Sequence, residues 1–219
     1  MQTKYAPDNL ERMPLEHYLE RYRGADPIEI SMRLGVPYDL KDGTFSLMFM
    51  GEDYSVRHPD FRIECVNGDL PVHPLLTDAH AQILMLRYLL NASAFEHNGD
   101  FRAYAELPSG DVYLRQFEGR CRMRFSRAYG NRPEALARAM ARMGALPVAL
   151  GDWGYELEIF ENMYMRFALW AGDEDFPASA QILFSSNFPA AFGAYDLAEL
   201  GEICINALRN VERALDAAE

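Results

Sequence analysis

Three successive carboxylates, Asp173, Glu174 and Asp175, occupy the stretch Gly172–Pro177, just after an apolar run from Met163 to Trp170. Oxygen donors at that density suit a hard divalent cation or acid–base work. The same residues also suit a solvated hairpin loop in which one carboxylate accepts from nearby backbone amides. The loop reading is the simpler, because neighbours in sequence do not all point to one place. Trp170 and Phe176 flank the acids and give the stretch an aromatic character. Just upstream, Asp152-Trp153-Gly154 offers an indole beside a carboxylate. It reads either as a wall for a flat ligand or as a turn with an anchoring Trp, and turn chemistry accounts for its Gly and Asp.

A second feature is charge. Between Asp111 and Arg142 there are eight arginines, at 115, 120, 122, 124, 127, 132, 138 and 142, opposed only by Asp111, Glu118 and Glu134. The segment carries 8 − 3 = +5, and since the whole chain carries 21 − 33 = −12, the remainder carries −17. Arg120, Arg124 and Arg127 fall at helical spacing. Two readings stand: a cradle for an anionic ligand or acidic partner, or a match to the chain's own acidic surface.

The histidines and cysteines are less pointed. His17, His58, His73, His80 and His97 make no HxH or HxxxH spacing, so no metal site is expected. Cys65, Cys121 and Cys204 are widely separated and form no CxxC. All three read as small apolar core groups, and their sparse use points to a reducing cytoplasm. No GxxxxGK[ST], GxGxxG, GxSxG or HExxH is present, so the usual nucleotide, α/β-hydrolase and zinc-peptidase chemistries have no motif here.

The elements that must position these residues follow from periodicity. Pro14 opens an amphipathic segment with Leu15, Tyr18, Leu19 and Tyr22 on one face. Asp26 caps a short helix with Pro27 first and Gly35 as its stop. An antiparallel meander follows: Tyr38–Leu40, Thr44–Met50 with Phe45, Leu47 and Phe49 inward, Asp53–His58 after a Gly51-Glu52 turn, and Phe61–Val66 closed by Asn67-Gly68-Asp69. Leu76–Asn91 reads as a helix capped by Thr77 or Asp78, with Ala79, Ile83, Leu86 and Leu90 as its stripe. Phe101–Glu106 is a short strand. Asp111–Ala128 is a helix with a stripe of Leu114, Phe117, Cys121 and Phe125, weakened by Gly119. Another helix begins around Asn131–Glu134 and stops at Gly144. Three strands follow, Tyr155–Phe160, Met163–Ala171 and Ala178–Phe184. A long helix starts at about Asp196, with Asp196 and Glu199 as a capping box and Leu197, Leu200, Cys204, Leu208, Val211 and Leu215 as its stripe.

Short links between strands favour antiparallel pairing. The expected class is therefore α+β, an antiparallel sheet or sheets with packed helices and a long C-terminal helix. With 219 residues and 49% hydrophobic content, a single compact domain over 1–219 is expected, a division near 95–100 being the alternative. The start, Met1–Pro7, lacks a signal-like apolar run, and no run approaches the roughly 20 residues of a membrane helix. The net acidity argues against nucleic acid and against an anionic membrane.

The order of features resembles a known family, domain of unknown function 3786, over about Asp26 to Leu208. The residues carrying the resemblance are Asp26-Pro27 with Gly35, then Phe45-Ser46-Leu47-Met48-Phe49-Met50-Gly51 with Tyr54 and Val56, and Leu86-Arg87-Tyr88-Leu89-Leu90. In the second half they are Trp170–Pro177, Gln181-Ile182-Leu183-Phe184 and Asp196–Glu202. The resemblance implies an origin in anaerobic bacteria or archaea and carries no assigned activity. Some relatives look like fusions to a cysteine-rich iron–sulfur module of the kind seen in corrinoid proteins. This chain has no such cysteine cluster, and it has Ser185 where relatives tend to carry Asp.

The leading expectation is a cytoplasmic binding or accessory protein of anaerobic metabolism that takes an anionic cofactor such as a corrinoid. The cofactor itself is unknown. Its candidate ligand-binding residues are Arg120, Arg124, Arg127, Trp170, Asp173, Glu174, Asp175 and Phe176. The alternatives are a metal-dependent enzyme using the 173–175 carboxylates, or a ligand-free interaction subunit, a homodimer through the C-terminal helix. The sequence does not decide whether the protein is an enzyme.

Overall fold

Proline and aspartate set the first elements. In the computed structural model, which describes residues 14–68, 70–94 and 97–218, Pro14 precedes helix α1 (Leu15–Gly24), which buries Tyr18 and Tyr22. The Met1–Pro7 reading and Asp69 of the expected turn lie outside the described residues. Helix α2 (Pro27–Leu34) is capped by Asp26, whose carboxylate accepts from the Ile28 amide at 2.8 Å. Gly35, at φ 69°, closes it in the left-handed conformation that glycine adopts at least cost.

Strands β1 (Tyr38–Asp39), β2 (Thr44–Phe49), β3 (Glu52–Arg57) and β4 (Ile63–Cys65) pair in chain order, all antiparallel. Phe45, Leu47 and Phe49 point to the core, as alternation predicts. The β2–β3 turn is Met50-Gly51, one residue earlier than expected. A close approach explains the shift: a Cβ on Gly51, at φ +81°, would lie 2.4 Å from the Met143 carbonyl oxygen. Glu52 is thereby pulled into β3 and buried.

The helix expected over Leu76–Asn91 is broken at Asp78 into α3 (Pro74–Thr77) and α4 (Ala79–Asn91). Asp78 is extended and caps α4 through the His80 amide at 2.8 Å. The inward face of α4 is Ala81, Leu84, Met85, Tyr88 and Leu89, together with Leu86, whereas Ala79 is exposed and Ile83 and Leu90 are half-buried. A helix apolar nearly all round does not itself say which side turns inward; packing against α1 and the C-terminal helix decides it.

After β5 (Phe101–Ala103) the chain makes one 3₁₀ turn, Tyr104–Glu106, in place of further strand. The expected Asp111–Ala128 helix appears as α5 (Gly110–Phe117), a π turn (Glu118–Arg122) and α6 (Met123–Tyr129). Helix α7 (Pro133–Arg142) follows. Strands β6 (Leu146–Pro147), β7 (Trp153–Phe160), β8 (Met163–Trp170) and β9 (Ser179–Ser185) complete a second antiparallel sheet of order β5-β9-β8-β7-β6. The last helix, α8 (Ala194–Asp216), starts two residues before Asp196. Asp196 thus sits in its first turn and reaches back to the Gly193 amide at 3.0 Å.

The fold class is α+β with two antiparallel sheets and a long C-terminal helix. The sheets touch at one corner, where the Met50 amide donates to the Ile159 carbonyl at 3.0 Å and the rings of Phe49 and Phe160 lie 5.1 Å apart. Both phenylalanines are fully enclosed, each worth about 1.5–3 kcal/mol relative to exposure. Along α8, Leu197, Leu200, Cys204, Leu208 and Val211 are buried within the chain, and Leu215 packs partly against the same core. No helix among the described residues is long and apolar enough to cross a membrane.

Candidate functional site

The arginine-rich segment runs through α5, the π turn, α6 and α7, and much of its charge faces α8. Arg120 donates to Glu199 at 2.8 Å and through Nε to Glu202 at 2.7 Å. Arg124 reaches Glu202 at 3.1 Å and Asn206 at 2.5 Å. Arg132 pairs with Glu212, and Arg138 with Asp216 at 2.8 Å. The acidic face of α8 therefore receives the guanidinium groups at Arg120 and Arg124. Glu199 is only 9% exposed, so its pairing is more than a loose surface contact.

The other face of this segment borders open space. A cleft of about 650 Å³ lies between α5 with its π turn and the ends of β8 and β9. Tyr104 and Phe117, stacked at 4.0 Å with their planes 4° apart, line its inner part. Trp170 and Gln181 line the strand side, and Glu118 and Arg122 the helix side. Arg122 donates through Nε to Glu118 at 2.8 Å, one turn back. The π turn is what carries both residues to this edge; such wide turns recur where a helix has a job besides packing. Gly119 leaves the turn unhindered, with nothing within 4 Å of where its Cβ would be. Inside, the Cys121 thiol donates to the Ala198 carbonyl at 3.3 Å and ties the turn to α8.

A smaller cleft of about 400 Å³ lies beside the first and gathers Arg127, Asn131, Asp173 and Phe176. The structure thus brings Arg127 to the acidic loop and puts Trp170 one strand end away, while Arg120 and Arg124 turn toward α8. In the loop, the Asp173 carboxylate accepts from the amides of Asp175 at 2.9 Å and Phe176 at 2.7 Å. That is the backbone-capping role that local turn chemistry gives such an aspartate. Asp173, Glu174, Asp175 and Phe176 are all exposed. Asp152 caps the neighbouring turn through the Ala171 amide at 2.8 Å, and Trp153 begins β7 half-buried.

Two of the thiols sit deep in the core. Burial pushes the Cys121 thiol up to about 12 and that of Cys204 well above its ordinary value, which removes the thiolate a nucleophile needs. Cys65 is different. It is only half-buried, and its thiol lies with the Glu52 carboxylate and the His73 ring so that one donor atom of each falls within 4.8 Å of the others. Local spacing could not show this trio, because its members come from β3, β4 and the segment before α3. Among the described residues, the 173–175 carboxylates form no such grouping.

No curated protein and no solved structure matches the chain. The model of one family, Domain of unknown function (DUF3786), matches residues 26–207. That span runs from the Asp26 cap through both sheets and most of α8, and it contains the cleft, the acidic loop and the trio; the chain belongs to this family.

Proposed function

We propose that the protein is a binding or accessory module that holds a small molecule in the cleft between α5 and the β8–β9 ends. The occupant would have a flat or apolar body and at least one anionic group. One observation carries the reading: Trp170 and Arg122, from distant parts of the chain, open onto the same 650 Å³ cleft. That volume is in the range of small-molecule sites, which combine aromatic walls with a few polar groups. Trp170 supplies a face for stacking, Gln181 a hydrogen-bonding amide, and Arg122 a guanidinium able to leave Glu118 for a phosphate or carboxylate. Arg127 and Phe176 in the adjoining cleft extend the same surface. A corrinoid, with its planar macrocycle and single phosphate, is the large member of the class; mononucleotides and flavins are smaller ones. The sparse thiols support a cytoplasmic setting, and a role in anaerobic metabolism is part of the same proposal.

The test is calorimetric titration with a panel of flavins, nucleotides and corrinoids. Trp170→Ala and Arg122→Gln should each weaken the best binder by roughly tenfold or more. Unchanged affinity in both variants would remove the cleft from the account. No binding across the panel would shift support to the ligand-free interaction subunit, and a dimer by light scattering would then favour its homodimer form.

A further inference from the structure

Glu52, Cys65 and His73 are a chemically mixed set. A carboxylate, a thiol and an imidazole are each ligands for zinc-like ions, and here one donor atom of each lies within 4.8 Å of the others. We propose that these three side chains form a binding site for a divalent transition-metal ion of the zinc class, with water completing the coordination. The proposal is independent of the cleft between α5 and β8–β9.

Three features of the surroundings support it. First, the carboxylate is oriented. The Leu70 amide donates to Glu52 Oε1 at 3.1 Å, while Oε2 faces Cys65 Sγ at 3.9 Å. Glu52 is only 5% exposed, and no ion pair to it occurs among the described residues. Among the described residues its hydrogen-bond partners are that amide and the thiol, which leaves room for a cation beside the carboxylate. Second, the imidazole is oriented. Tyr54 Oη lies 3.4 Å from His73 Nδ1, so Nε2 is the nitrogen left for an ion. This is the outer-shell contact that metal-bound histidines commonly have. Third, the loop closes over the trio at a glycine. A Cβ on Gly68 would lie 3.2 Å from Cys65 Sγ and 3.4 Å from His73 Nε2. The backbone therefore passes beside both donors, and a side chain there would intrude on them.

The spacing also fits. Bond lengths of about 2.0–2.3 Å in a tetrahedron put neighbouring donors about 3.5 Å apart. The trio, within 4.8 Å, needs side-chain movement of about 1 Å to close on an ion. The donor set selects the metal: a thiolate with an imidazole disfavours magnesium and calcium and favours zinc, iron(II) or cobalt(II). Three protein ligands leave one position open, and the half-buried Cys65 and His73 leave it reachable by solvent.

Cobalt(II) is the probe, titrated into chelator-stripped full-length protein. The expected result is one equivalent bound with thiolate-to-cobalt charge-transfer absorption in the near ultraviolet, displaced by zinc. Cys65→Ser should lose that absorption. Glu52→Gln and Tyr54→Phe should weaken binding, the latter as a positioning residue by about tenfold. A measurement that needs no variant is alkylation read by mass spectrometry: zinc should block modification of Cys65. Absorption that persists in Cys65→Ser, no charge-transfer band in the native protein, or equal alkylation of Cys65 with and without zinc would each overturn the proposal.

Discussion

Glu161 shows how much one side chain can hold. Its carboxylate sits where the two sheets meet, accepting from the Met48 amide at 2.7 Å and the Tyr88 hydroxyl at 3.3 Å. Burial pushes its carboxyl above the ordinary range, and those two hydrogen bonds pull partly the other way. A carboxyl with a raised folded-state pKa keeps its proton longer in the folded chain. Stability therefore falls as pH rises from the ordinary carboxylate value through the raised one. Glu161→Gln keeps an acceptor for Met48 and does not titrate. The stability of native protein minus that of the variant should thus decrease between about pH 4.5 and pH 7. Urea midpoints at the two pH values check this, and a pH-independent difference would contradict it.

At the scale of elements, α8 and the π turn meet closely at a glycine. A Cβ on Gly201 would lie 2.9 Å from Cys121 Sγ and 3.5 Å from Phe117 Cε2. Alanine in a helix is otherwise favoured over glycine by about 1 kcal/mol, but overpacking costs about 1–3 kcal/mol. Gly201→Ala should therefore lower Tm by a few degrees, whereas Gly119→Ala, with nothing within 4 Å, should leave it equal or higher. Calorimetry of the two variants separates packing from propensity, and a raised Tm for Gly201→Ala would show that the turn yields. The joint also sets how the arginine segment works. Because α8 lies against it, Arg120 and Arg124 meet Glu199 and Glu202, while Arg122 is carried around to the cleft.

Across the whole molecule, the two halves are tied at several places. Besides the sheet corner, Arg87 of α4 pairs with Asp196 of α8 at 2.8 Å, with side chains only 12% and 3% exposed. Severing such a pair leaves a buried charge, which typically costs about 3–5 kcal/mol. We expect the chain to unfold as one domain. Both tryptophans, Trp153 and Trp170, belong to the second sheet, so their fluorescence reports that half while far-ultraviolet circular dichroism reports both. The two urea transitions should coincide. Separate midpoints would divide the chain near 95–100.

What local chemistry dictates was legible in the sequence. The Asp26 cap, the Gly35 stop, the inward faces of β2 and α8 and the turn-forming use of Asp173 all rest on interactions within a few residues. So did membership of the family, which rests on residues spread along the chain. Tertiary structure decided the rest. The turn at Met50-Gly51 shifted because the Met143 carbonyl approaches it, and α4 turned a different face inward because it is packed between α1 and α8. The arginines divided between α8 and the clefts according to which side of a wide turn they fall on. The Glu52, Cys65 and His73 grouping was invisible to spacing, because pairing of β3 with β4 and the path into α3 bring together residues that no local period connects. A sequence fixes short-range hydrogen bonds and periodicity directly; a site assembled from separate elements exists only once their packing is set.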